Sequence, residues 1–156
     1  MFNPENRQWK QGPRMKEKRE EHSCFYDNHS NSIFVVGGRN ESNYTFPAPT
    51  TTEQLNLDTK EWKSAPSLPE PTLGSAGVAS KSIDYVGFVT GGYVGPQYVD
   101  WERANKVYGL RRKDLNWEVM PQQLESLRVS HSMVNVAYHE VPGCGRNFNS
   151  KTRFFD

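Results

Sequence analysis

Ile33-Phe34-Val35-Val36-Gly37-Gly38 and Val86-Gly87-Phe88-Val89-Thr90-Gly91-Gly92 are the two stretches on which the fold turns. Each is a short apolar run closed by a Gly-Gly pair. A run of this length bounded by glycine reads as a strand buried on both faces. The two Gly-Gly pairs lie 54 residues apart. Tryptophan keeps the same clock: Trp9 to Trp62 is 53 residues and Trp62 to Trp117 is 55. Self-similarity at a fixed period of this length is the signature of a repeat architecture.

Working outward from Gly37-Gly38, one unit reads as an apolar strand, a polar loop and a strand over Glu53–Asp58. A turn at Asp58-Thr59-Lys60, a short strand around Trp62, a Pro-rich connection over Ser64–Pro71 and a strand over Gly77–Ser80 follow. Gly12-Pro13-Arg14-Met15 holds the connecting place after Trp9, and Met120-Pro121 then Leu127-Arg128 hold it after Trp117. Arg19 and Arg128 fall 10 and 11 residues after their tryptophans, and His22 and His131 fall 13 and 14 after. The middle unit has Thr72 and Ser75 instead. Pro13–Glu21 (PRMKEKREE) carries charges that suit a solvated helix, but its phase matches the inter-strand connections, so it is expected to be a loop. Four short strands per unit without a helical period is the pattern of a propeller blade.

The ordered set of apolar strand, Gly-Gly, Leu57 or Tyr108, then Trp62 or Trp117, then Pro, Arg and His resembles the kelch repeat, which runs about 50 residues. The resemblance covers roughly residues 9–137. It implies an all-β fold: a partial kelch β-propeller of four-stranded antiparallel blades, with Gly37, Gly38, Trp62, Gly91, Gly92 and Trp117 as structural residues. Glycine would end each strand where blades approach and the chain needs φ > 0. The tryptophans would supply apolar area between blades. In such blades the Arg and His after the Trp bond neighbouring backbone, the place held here by Arg19, Arg128, His22 and His131. The repeats divide as about 9–62, 62–117 and a partial 117–137, between an N-terminal tail (1–8) and an irregular C-terminal tail (138–156). The third Gly-Gly is due near residue 146, where the chain has Pro142-Gly143-Cys144-Gly145 with no apolar strand before it. A closed propeller needs about 4–8 blades. The expectation is therefore an incomplete propeller, part of a longer protein or completed by another chain, whose open edges favour self-association.

Composition sets the function classes. The chain has 156 residues with Lys+Arg 19 against Asp+Glu 18, a net charge of +1. That balance offers no basic stripe for nucleic acid. Mean hydropathy is −0.82, and the apolar fraction is 35%, lean for a free-standing core. No window approaches 18 apolar residues, so no membrane partner is expected. Met1–Lys10 lacks the apolar stretch of a signal peptide. With that, the expected compartment is the cytoplasm, the triplets at Asn28, Asn40 and Asn43 read as chance, and Cys24 and Cys144 read as free thiols.

The loops after Gly-Gly carry the candidate binding residues. Arg39–Thr52 holds Arg39, Asn40 and Tyr44; Tyr93–Ala104 holds Tyr93, Tyr98, Trp101 and Arg103. Tyr, Trp and Arg dominate interface hot spots, and Trp101 stands off the repeat clock. Catalysis finds no comparable support. The four histidines show no metal-ligand spacing, and Glu20-Glu21-His22 sits in a charge run that reads as a solvated face. Leu73-Gly74-Ser75-Ala76-Gly77 lacks the register of a hydrolase elbow, and Gly91–Gly95 lacks the Lys and helix of a phosphate loop. No cofactor is expected. The resemblance implies a non-catalytic protein-binding module, a substrate adaptor or cytoskeletal scaffold. The alternative it implies is a kelch-like enzyme with a metal or a small sugar-like substrate in the central channel. The copper ligands of the galactose-oxidase type and the iron ligands of the nitrile-specifier type cannot be placed on this sequence.

Overall fold

A computed structural model describes residues 1–40, 50–95 and 102–136. Among them there are thirteen strands and no helix, and Pro13–Glu21 is a loop. No described helix is long and apolar enough to cross a membrane.

Two four-stranded antiparallel sheets hold most of the described strand residues. The first takes β3 (Ser23–Asp27), β4 (Ser32–Val36), β5 (Thr52–Asn56) and β6 (Glu61–Ala65) in chain order. The second takes β8 (Ala76–Ala79), β9 (Tyr85–Thr90), β12 (Val107–Arg111) and β13 (Trp117–Val119), again in order of sequence. The run Ile33–Val36 is β4 and Val86–Thr90 lies in β9, each the second strand of its sheet. Two smaller sheets remain. β1 (Phe2–Asn3) pairs with β2 (Gln8–Trp9), and β10 (Tyr93–Val94) joins β7 (Thr72–Leu73) to β11 (Glu102–Arg103).

The outer hairpins are built alike three times. Cα partners are Phe2↔Trp9, Leu55↔Trp62 and Leu110↔Trp117, always seven residues apart. Two residues before each tryptophan the backbone is left-handed, at Arg7 (φ 54°), Lys60 (φ 60°) and Leu115 (φ 53°). Short polar side chains close these turns. Asn3 and Asn6 accept from the backbone of Glu5 and Gln8, Asn56 from Asp58 and Thr59, and Asp114 from Asn116. Asn and Asp supply such a bond from within the turn itself, which is why they recur there.

The core lies between the two large sheets and gathers Phe25, Phe34, Val36, Leu68, Val86, Val89, Tyr108, Leu110 and Trp117. Phe25 stacks on Phe34 (5.4 Å, 15°) and presses its ring onto Gly87 of the second sheet. The inner strands β3 and β8 run beside each other, tied by a 2.6 Å bond between the hydroxyls of Ser23 and Ser75. Asp27, at the end of β3, takes both arms of Arg112 at 3.1 Å, and Arg112 also donates to the Tyr85 carbonyl. Burial pushes the Asp27 carboxyl up, but Arg112 and the Ser30 donors outweigh it and hold it below the usual carboxylate range.

Candidate functional site

The ends of β4 and β9 are shaped by the same left-handed pair: Gly37 and Gly38 at φ 63° and 89°, Gly91 and Gly92 at 58° and 90°. Only glycine takes these angles freely. There is also no room for a side chain. A Cβ on Gly37 would meet the Thr72 carbonyl oxygen, and one on Gly91 would lie 2.5 Å from the Arg128 carbonyl oxygen. The turns repeat their bonds as well. Gly38 N donates to Thr72 O at 2.9 Å and Gly92 N to Arg128 O at 2.7 Å. Each sheet's Gly-Gly turn is thus held by the connection leaving that sheet's outer strand.

After each turn the chain pairs with the segment that enters its own sheet. Arg39 bridges Glu20, and 54 residues later Tyr93 pairs with Leu73. Gly38 lies against Thr72, which belongs to β7, the strand that carries β10. The two loops therefore leave from the same end of the molecule. The loop after Gly92 is bounded by strands that a loop reading did not anticipate, with Tyr93 opposite Arg103 on β10 and β11.

Among the sequence-predicted binding residues, Tyr93 is half-buried and Arg103 exposed, and the ladder brings them together. Arg39 is drawn inward, with Nε 2.6 Å from Glu20 and a terminal nitrogen 2.8 Å from Glu21. Glu20 and Glu21 therefore hold Arg39, where the sequence reading took them for a plain solvated face. Asn40 is exposed. Tyr44, Tyr98 and Trp101 lie outside the described residues, as do Cys144 and the tail 138–156.

The residues set down as structural behave differently from one another. Trp62 Nε1 donates to the Pro13 carbonyl and Trp117 Nε1 to the Pro66 carbonyl, each at 3.0 Å. Trp9, on the same clock, is 79% exposed. The Arg19 guanidinium is fully buried and donates to the Gly37 and Thr51 carbonyls, the Thr51 hydroxyl and the Glu53 carboxylate. Thr72, its counterpart in the middle unit, donates to the Glu70 carbonyl. His131 Nε2 lies 2.9 Å from the Thr90 hydroxyl. Burial, aided by the charge of Arg19, holds the His22 imidazole below its ordinary value. Ser75, in the loosely hydrolase-like stretch, is spent on Ser23. Cys24 is an exposed free thiol. Among the described residues no three His, Cys, Asp or Glu side chains gather as metal ligands do.

One pattern escaped the sequence reading although its letters are plain. Each of the three evenly spaced tryptophans is followed by Pro at the fourth place and Glu at the eighth: Trp9-Pro13-Glu17, Trp62-Pro66-Glu70, Trp117-Pro121-Glu125. The proline carbonyl receives the next unit's indole. The glutamate receives the next unit's third strand or its approach: Glu17 accepts from Thr51 at 2.9 Å, and Glu70 from Lys106 at 2.6 Å and from the buried Tyr108 hydroxyl. The prolines were visible as turn punctuation, but their role as acceptors was not.

No known protein-family model matches the chain.

Proposed function

We propose that the chain is a non-catalytic protein–protein interaction module of kelch-type β-propeller build. The two large sheets are successive blades, and the loops after Gly38 and Gly92 face a protein partner as in a substrate adaptor or scaffold. The observation that carries this reading is the duplicated Gly-Gly turn, with matched dihedrals and matched bonds, which sends both loops out from one end. Turns fixed this rigidly suit binding, because the roots of both loops are held in place before a partner arrives and lose little entropy on capture. Tyr93 and Arg103 stand side by side at the root of the loop that contains Tyr98 and Trp101. Aromatic and Arg anchors of this kind carry most of the free energy in ordinary interfaces.

The test is quantitative affinity capture with the chain as bait, repeated with Tyr98→Ala, Trp101→Ala and Arg103→Ala. Lys60→Ala and Lys113→Ala, in the turns at the opposite end of the sheets, serve as controls. The loop variants are expected to lower recovery of a specific protein by about tenfold or more, with the controls unchanged. Equal recovery by all five variants would refute the loop-face reading.

A further inference from the structure

We infer that the root of the first loop is an ion-operated clasp. Glu20 and Glu21 hold Arg39 shut by charge, and screening or removing that charge opens this root while the root of the second loop stays closed. The inference concerns how the root opens and does not require the loops to bind anything.

The two roots are one backbone device built twice. A Cβ on Gly38 would meet the Glu20 carbonyl oxygen at 2.6 Å and the His22 Cβ at 2.9 Å. One on Gly92 would meet the Leu73 carbonyl oxygen at 2.6 Å and the Ser75 Cβ at 3.0 Å. The residue after each glycine then bridges antiparallel to the entering segment, Arg39 to Glu20 and Tyr93 to Leu73. One place further along that segment the backbone is left-handed in both units, at Glu21 (φ 53°) and Gly74 (φ 63°). Gly74 N donates to the Glu21 carbonyl at 2.9 Å, so the two frames are also joined.

On this shared frame the side chains differ in kind. In the second unit the bridged residues are Leu73, which is buried, and Tyr93, which is half-buried. The pairing there runs on through Val94 to Thr72 and to Glu102. In the first unit the bridged residues are Glu20 and Arg39. Backbone bonds of 2.8 and 2.9 Å join them in both directions, and an ion pair of 2.6 Å joins their side chains. Glu21 brings a second carboxylate to 2.8 Å from a terminal nitrogen of Arg39. The Arg39, Glu20 and Glu21 side chains are 23%, 33% and 41% exposed, so salt reaches all three. Glu21 also stands in a left-handed place that glycine fills without strain. That strain is carried while the charges hold the root shut and is relieved when it opens. The first root is thus closed by exposed charge and the second by burial and strand pairing. Ionic screening weakens the one and spares the other.

Amide hydrogen exchange of the ¹⁵N-labelled chain, followed by NMR at pH 7 in about 0.02 M and about 0.5 M sodium chloride, tests this. The Glu20 and Arg39 amides report the first root, and the Leu73 and Tyr93 amides report the second under the same conditions. Exchange at the first root should quicken about fivefold in high salt, as the screening of two exposed pairs implies. The second root should change by less than about twofold. Two variants remove the charge by different routes, Glu20→Gln with Glu21→Gln, and Arg39→Leu alone. In each, the first root should lose its salt response, and circular dichroism verifies that the fold is kept. An equal response at both roots, no response at either, or a response that survives in a folded variant would overturn the inference. Exchange at the roots is read without any partner, so this result is separable from the capture experiment above.

Discussion

Replacing Gly87 with alanine tests whether the two large sheets pack as described. A Cβ at Gly87 would sit 2.5, 2.8 and 2.8 Å from Cε2, Cδ2 and Cζ of Phe25. The ring has nowhere to retreat, since Phe25 is 6% exposed and lies flat against Phe34. Gly87 has no positive φ, so any loss comes from this contact and not from the backbone. Overpacking of this kind costs about 1–3 kcal/mol, and alanine's advantage over glycine in a strand returns about 0.5–1 kcal/mol. The net expectation is a loss of about 1–2 kcal/mol. Gly77 provides the internal control. Its Cβ would stand 3.2 Å from the Cys24 carbonyl and 3.3 Å from Phe25 Cδ1, which a shift of a few tenths of an ångström relieves. Gly77→Ala should therefore lie within about 0.5 kcal/mol of the parent, the two effects offsetting. Phe25→Leu removes the ring edge that Gly87→Ala strikes, so the double variant should be more stable than the sum of the singles by about 1 kcal/mol or more. Urea unfolding followed by tryptophan fluorescence supplies all four values on a common m-value. If Gly87→Ala costs no more than Gly77→Ala, or if the Phe25 and Gly87 losses simply add, the sheets do not meet at this contact.

Two further outcomes follow from the charged groups. Arg112→Met strands the Asp27 carboxylate, whose side chain is 2% exposed, and should cost about 3 kcal/mol in the same urea assay; adding Asp27→Asn should recover part of that loss, and no recovery would mean that Arg112 acts through packing alone. Stability should fall as pH falls: below about 6.5 because the unfolded His22 takes a proton that the native one resists, and further below about 4 because Asp27 and Glu70, both held below their ordinary values, must be protonated. A series of urea midpoints from pH 8 to pH 3 checks this. A flat or rising profile toward acid, or an Asp27→Asn variant that keeps the full acid limb, would contradict it.

What could be read beforehand was whatever repeats. The Gly-Gly pairs, the tryptophan clock and the turn residues each recur, and recurrence separates signal from a composition that is otherwise bland. Thus β4, β5 and β6, the loop over Pro13–Glu21 and the absence of helix among the described residues were legible. Contacts made once were not. Nothing about Asp27 announces a partner 85 positions away, and Gly87 looked like one more glycine in an apolar run when it is the seat of the Phe25 ring. Glu20, Glu21 and Arg39 were separately visible, but not the antiparallel bridge of Glu20 with Arg39 that brings both carboxylates to the guanidinium. The strands β10 and β11 are two residues each, too short for any period to appear.

Trp9 shows why a repeat signal and a burial signal must be kept apart. Its place on the clock led to the expectation that it fills a gap between units. It has the right hairpin, the right register and the right left-handed neighbour, yet its ring stands in water. Burial in this architecture is not a property of the unit that owns the tryptophan. It is conferred by the unit before, whose proline carbonyl takes the indole and whose glutamate takes the adjoining strand. In quasi-one-dimensional folds stability resides in nearest-neighbour interfaces as much as in the repeats themselves. A sequence period therefore identifies which residues have the capacity to be buried, while the number of neighbours decides which of them are. Trp62 and Trp117 each meet the proline carbonyl of the unit before, and the exposure of Trp9 shows that a place on the clock does not by itself bury a ring.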